Sequence, residues 1–344
     1  MQTRRSFLQQ SALLSMGTLV SPSELFESKP YYFDLHSHPG AFFYKGSGEY
    51  GGDEGVHKTF LEMNAAGVSG VFVSLVGDMS LLQKTATGIK PVKAYAKGEG
   101  KAEYQKQMGI IKSLLAKEPV QLATKKTSIN SKSSQVAVYL SCEGGDVLEG
   151  STDLLDQMYN DGIRSLQPMH YAPNPLGDVQ TEAPQFNGLS AVGKEVIKKC
   201  NRLGILIDMA HASFDTVKDT AAITTAPLIL SHSILQLAEE RPIGKRAISI
   251  EHAKLIASTG GVVGAWPSGF NTSFEDYVTN IKRLIDAIGI DHVGIGTDMD
   301  SNFKPVLNSY LQYPTLAAAL ENKGFTKEEV RKVMGENAKR IVSN

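Results

Sequence analysis

Cysteine is scarce: Cys142 and Cys200 are the only two in 344 residues. Two thiols make neither a disulfide framework nor a zinc knuckle, and each reads as a small buried hydrophobe. No apolar run approaches the roughly 20 residues needed to span a bilayer, so no transmembrane span is expected. Charge of one sign is also missing. Lys and Arg number 35 against 36 Asp and Glu, a formal net charge of −1. That balance offers no footprint for nucleic acid or an anionic membrane. What remains, 42% hydrophobic and 21% charged residues, is the profile of an ordinary globular chain.

The N-terminal stretch TRRSFLQQSALLSMGTLV pairs Arg4 with Arg5 ahead of Phe7, Leu8 and a modest apolar segment. This is the pattern of a twin-arginine export signal. Residues 1–28 are therefore set apart as a signal, cleaved near Ser21 to Ser28, and the protein is expected in the periplasm or cell envelope.

From residue 29 onward, short apolar β-branched runs alternate with amphipathic segments. YYFDLH, GVSGVFVSLV, QVAVYLSCEGG, IRSLQPMHY, GILIDMAH, PLILSHS, GGVVGAW and HVGIGTDMD are eight candidate strands. DLLDQMYNDG, GKEVIKKCNRLG and FEDYVTNIKRLIDAIG have helical spacing and close on Gly. Ser249 and Thr326 suit helix N-caps. Eight apolar strands alternating with helices predict an α/β fold, a closed (β/α)8 TIM barrel, over 29–344. No glycine-rich phosphate fingerprint follows the first strand to support a doubly wound sheet. The Lys-rich segment 77–135 is too long for a simple crossover and reads as an insertion near the barrel mouth.

Chemistry in such barrels sits at the C-terminal strand ends. Five of the eight histidines fall there: His36, His38, His170, His211 and His232. Glu143 and Asp298 end two further strands. Taken singly, each could be a hydrogen-bonded strand end; seven converging on one rim indicate a metal site. Imidazole and carboxylate without thiolate suit Zn2+ or a similar divalent ion kept for catalysis. His36, His38, Glu143, His211, His232 and Asp298 exceed the needs of one ion. They match two ions about 3.5–4 Å apart, with Glu143 as bridge.

In order along the chain, the strand-one H-x-H, EGG, NRLGILIDMAHAS, APLILSHS and HVGIGTDMD resemble the renal (membrane) dipeptidases and their bacterial relatives. These are zinc peptidases, family M19, of the amidohydrolase-like barrel superfamily. The resemblance runs from about residue 31 to the C-terminus and is weakest through 77–135. It implies that His36 and His38 hold one zinc ion, His211 and His232 the other, and that Glu143 bridges them. It implies that Asp298 contacts a bridging hydroxide and shuttles its proton, while His170 polarises the scissile carbonyl of a small dipeptide-like substrate. Arg246 falls where the family grips the substrate carboxylate, with Arg241 as the fallback, and Asp34 and Asp208 suit either support of the ligand histidines or hydrogen bonding within the core. Homodimers are common in the family. Two departures stand out: His38 replaces an Asp, and Ala247 replaces an Asn. The alternatives are the same apparatus acting on another amide, lactam or lactone, and a non-catalytic, metal-stabilised binding protein.

Overall fold

The computed structural model of the protein describes residues 31–85, 88–124, 135–237 and 244–343. The twin-arginine segment and Arg241 lie outside the described residues. Residues from Tyr31 to the C-terminus form one compact unit.

Twelve strands occur among the described residues: β1 (Tyr32–Ser37), β2 (Val68–Val76), β3 (Leu82–Thr85), β4 (Gly88–Pro91), β5 (Val120–Leu122), β6 (Val136–Glu143), β7 (Ile163–Gln167), β8 (Leu206–Ile207), β9 (Ile229–Leu235), β10 (Ala247–Ile248), β11 (Val262–Ala265) and β12 (Val293–Ile295). Two parallel sheets carry the barrel, β1-β2-β6-β7-β8 and β9-β11-β12. Their seams close by single parallel bridges, Asp208 to Ile229 and Ser37 to Met299. Eight parallel strands thus neighbour one another in chain order, the expected α/β barrel. β1 and β6 are buried along their whole length, as strands covered on both faces are, and their buried polar residues are Asp34, His36 and Ser37 in β1 and Ser141 and Glu143 in β6.

Buried carboxylates hold both seams. Asp34 accepts from the backbone N–H of His36 at 3.1 Å and of Thr297 at 2.9 Å, and from the Tyr310 hydroxyl at 2.6 Å. Asp208 accepts from the amides of Ala210 at 3.0 Å and Ser231 at 2.9 Å. Both acids grip backbone next to the candidate ligand histidines, so any support they give reaches the imidazoles through the main chain. Burial raises the pKa of each, and the donated hydrogen bonds oppose it.

Within 77–124, β3 and β4 form an antiparallel hairpin. The helix Glu99–Leu115 then returns to the barrel wall, burying Tyr104, Met108, Ile111 and Leu114. Its Gln107 side chain closes on both backbone groups of Val76, at 2.9 and 2.7 Å. This helix is the crossover between β2 and β6. Ser190, Ser213, Ser249 and Ser273 each cap a barrel helix by accepting a backbone N–H three residues on. The helix expected over TKEEVRKVMGENAKRIV starts at a Thr326–Glu329 capping box but is interrupted at Lys332–Glu336. A β-carbon on Gly335 would lie 2.2 Å from the Tyr31 carbonyl, so the start of β1 presses on the helix there. No described helix is long and apolar enough to cross a membrane.

Candidate metal centre

The strands deliver their polar ends to one point. His38 follows β1 directly, Glu143 is the last residue of β6, and His232 lies within β9. His211 and Asp298 come three or four residues beyond β8 and β12, where the chain has left the sheet. Both adopt left-handed backbone, at φ 66° and 55°. Non-glycine residues pay for that conformation, and such strain concentrates at functional sites.

Two donor groups result, His36–His38–Glu143 and Glu143–His211–His232, and within each the ligand atoms lie within 4.8 Å of one another. Glu143 joins them. One carboxylate oxygen is 3.4 Å from His36 Nε2 and 3.2 Å from His38 Nε2. The other is 3.4 Å from His211 Nε2 and 3.8 Å from His232 Nε2. Asp298 Oδ1 is 3.4 Å from His38 Nε2. Gln167 Nε2 donates to Glu143 Oε1 at 3.0 Å and holds that carboxylate in place.

The donors fit divalent ions. His38 Nδ1 is 2.9 Å from the Ser74 carbonyl, which can only accept. Nδ1 therefore carries the proton, and Nε2 turns its lone pair inward. The Ser231 hydroxyl, which can donate or accept, meets His232 Nδ1 at 3.0 Å. Four imidazole Nε2 atoms stand within 3.8 Å of one buried carboxylate, with no thiolate among them.

The electrostatics have the same two halves. Burial opposes ionisation of Glu143, yet His170, His36 and His211 hold its carboxyl well below the usual range. Burial also works against the His38 imidazolium, but Asp298 and Glu143 override it and push the pKa up to about 10. A divalent ion competes with that proton for the same lone pair. On the other side, burial holds His211 and His232 well below their ordinary values, helped by Arg246 and by His36 respectively. These two are neutral donors near pH 7.

His170 stands beside the cluster, with Nε2 3.6 Å from Glu143. Its Nδ1 lies 2.6 Å from Asp78, whose other oxygen accepts from the amides of Tyr171 and Ala172 at 3.1 and 2.9 Å. Burial disfavours its charge, but Asp78 and Glu143 prevail and raise the pKa to about 9. Arg246 is buried, with its guanidinium 5.4 Å from the Trp266 ring. One nitrogen donates to Gln180 at 2.8 Å. Nε and Nη2, which form one edge of the fork, have no hydrogen-bond partner.

Asp78, Gln167, Gln180 and Trp266 are the functional neighbours that sequence reasoning missed. Asp78 follows β2 by two residues, so the strand-end rule that found the other acids reaches it too. Gln180 arrives from a long loop after β7 and carries no local signal.

The sequence profile described as membrane dipeptidase (peptidase family M19) matches residues 31–344. The chain belongs to this family. Its metal dependence accords with the two His/Glu groups. Dipeptidase verJ of Clonostachys rogersoniana is 26% identical over 250 residues, 69% of this chain and 64% of that protein. An uncharacterized dipeptidase of Schizosaccharomyces pombe is 30% identical over 221 residues, 60% of this chain and 52% of the other. The match thus spans about half to two thirds of the length of these curated relatives. A metallo peptidase from Rhodobacter sphaeroides, liganded with a phosphinate mimic of the dipeptide L-Ala-D-Ala, has the same barrel. Its TM-score is 0.75 at 22% identity, over 91% of this chain and 99% of that one.

Proposed function

We propose that the protein is a dipeptidase with two divalent ions, zinc by preference, held by His36, His38 and Glu143 on one side and by Glu143, His211 and His232 on the other. The observation that carries the dipeptide reading is the open edge of the buried Arg246 fork. Two N–H donors on a rigid plane match a free carboxylate in bidentate fashion. The dipeptidase descriptions of the M19 relatives and the dipeptide mimic bound by the Rhodobacter enzyme support the same substrate class.

Ions bound by such donors act as Lewis acids and bring the pKa of water down to about 7. The chain's own residues divide the remaining work. Asp298, beside His38 and partly open to solvent, accepts the proton of the attacking water and passes it to the departing amine. His170, anchored through Nδ1 on Asp78, directs Nε2 at the negative charge that develops on the carbonyl oxygen. Arg246 anchors the carboxylate end, so the peptide bond lies across the cluster.

Arg246→Ala should raise KM for a free dipeptide by roughly 10²-fold, the loss of two charge-assisted hydrogen bonds. The same variant should barely alter hydrolysis of a C-terminally amidated dipeptide or a neutral ester. Equal losses on both would favour a different amide, lactam or lactone as substrate. Full metal loading without turnover on any dipeptide would favour a binding protein.

Export by the twin-arginine route is proposed on Arg4, Arg5, Phe7 and Leu8. Replacing both arginines with Lys should leave the full-length precursor in the cytoplasm on cell fractionation. An unchanged distribution would end that reading.

A further inference from the structure

This inference rests on the dipeptidase reading and concerns which dipeptides it serves. A row of aromatic rings leaves the metal centre through the loops after β11 and β12. Trp266 directly follows β11, with its ring 5.7 Å from that of His232 and 5.4 Å from the Arg246 guanidinium. Phe270 lies 5.9 Å beyond Trp266, and Phe303 another 5.5 Å on. Exposure rises along the row, from 4% at Trp266 through a half-buried Phe270 to 53% at Phe303.

The two loops are tied into one wall. Gly269 N–H donates to the Phe303 carbonyl at 2.7 Å and Val306 N–H to the Pro267 carbonyl at 2.9 Å. A β-carbon on Gly269 would come within 2.5 Å of the Lys304 carbonyl, so only glycine lets the loops approach this closely. The Asn271 side chain donates to the Trp266 carbonyl at 3.0 Å and fixes the inner end. An apolar surface at the mouth of a polar site, exposed at its outer end where Lys304 Nζ stands over the Phe303 ring at 5.4 Å, is what a binding wall requires.

We propose that Trp266, Phe270 and Phe303 receive the side chain of the substrate's C-terminal residue, and that the enzyme prefers dipeptides whose C-terminal residue is large and apolar. The carboxylate and the C-terminal side chain branch from the same carbon. With the carboxylate on Arg246, that side chain starts beside Trp266, because the guanidinium and the indole are in contact. It can then extend along the row, where an aromatic side chain finds ring centroids at offset-stacking or edge distances. The N-terminal side chain lies across the scissile bond, away from this wall.

The test compares two substrate series on the metal-loaded enzyme: Gly-X and X-Gly, with X running through Ala, Leu, Phe and Glu. Across Gly-X, kcat/KM should rise roughly tenfold or more from Ala to Phe, while X-Gly shows no matching rise. Phe303→Ala should lower the Gly-Phe to Gly-Ala ratio of kcat/KM roughly three- to tenfold, mainly through KM. Phe303→Leu should restore most of it. Dipeptide hydrolysis without this size dependence, an unchanged ratio in Phe303→Ala, or a preference for Gly-Glu over Gly-Phe, which would implicate the neighbouring Lys304, each overturns this inference alone. Failure to hydrolyse any dipeptide overturns it together with the dipeptidase reading.

Discussion

Glu143→Gln should cost the protein its metal and its turnover together. The carboxylate lies between two imidazole pairs, 3.2 to 3.8 Å from all four Nε2 atoms. Glutamine keeps the shape but replaces one oxygen with an amide that has no lone pair for an ion and removes the charge that offsets two cations. The expected loss of kcat exceeds about 10³-fold, beyond the 10–100-fold typical of residues that merely support a ligand. Bound metal should fall below the wild-type content on elemental analysis, with far-UV circular dichroism unchanged. Near-normal dipeptide hydrolysis by a fully loaded variant would remove Glu143 from the bridge and the dinuclear reading with it.

Asp298→Asn separates proton transfer from metal binding. Asn tolerates the left-handed backbone that position 298 adopts at φ 55°, and the 2.9 Å bond from its amide to the His36 carbonyl is retained. Four imidazoles and Glu143 remain to hold metal. An amide cannot accept the proton that a carboxylate can, so kcat should fall by about 10²–10⁴-fold with KM little changed. Metal content is the discriminating measurement. If it stays at the wild-type level while kcat collapses, Asp298 is the proton carrier. If metal and activity fall in step, Asp298 acts chiefly as a ligand.

Much of this site is legible in the sequence. Parallel strands buried on both faces leave near-continuous apolar runs in the sequence, and such runs mark all eight barrel strands. A polar residue at the end of such a run has few places to go except the C-terminal rim. That is why His36, His38, Glu143, His211 and His232 could be grouped without a structure. The same logic leaves the role of Asp34 and Asp208 undecided. Their place two or three residues before a histidine leaves support of the imidazole and core hydrogen bonding equally open, and the structure shows each carboxylate gripping backbone amides across a seam. The periodicity predicts a continuous final helix; its interruption falls where Gly335 packs against the carbonyl of Tyr31, some three hundred residues away.

Residue type and period, then, determined the strands, their order, the rim and the donor chemistry, because those depend on local spacing and on which face of an element is buried. The tertiary structure alone decided which side chains pair. Asp78 with His170, Gln180 with one edge of Arg246 and Trp266 with its face all join segments far apart in the chain. Such pairs depend on loop paths, and loop paths are set by backbone turns and main-chain hydrogen bonds that leave no periodic trace in the sequence.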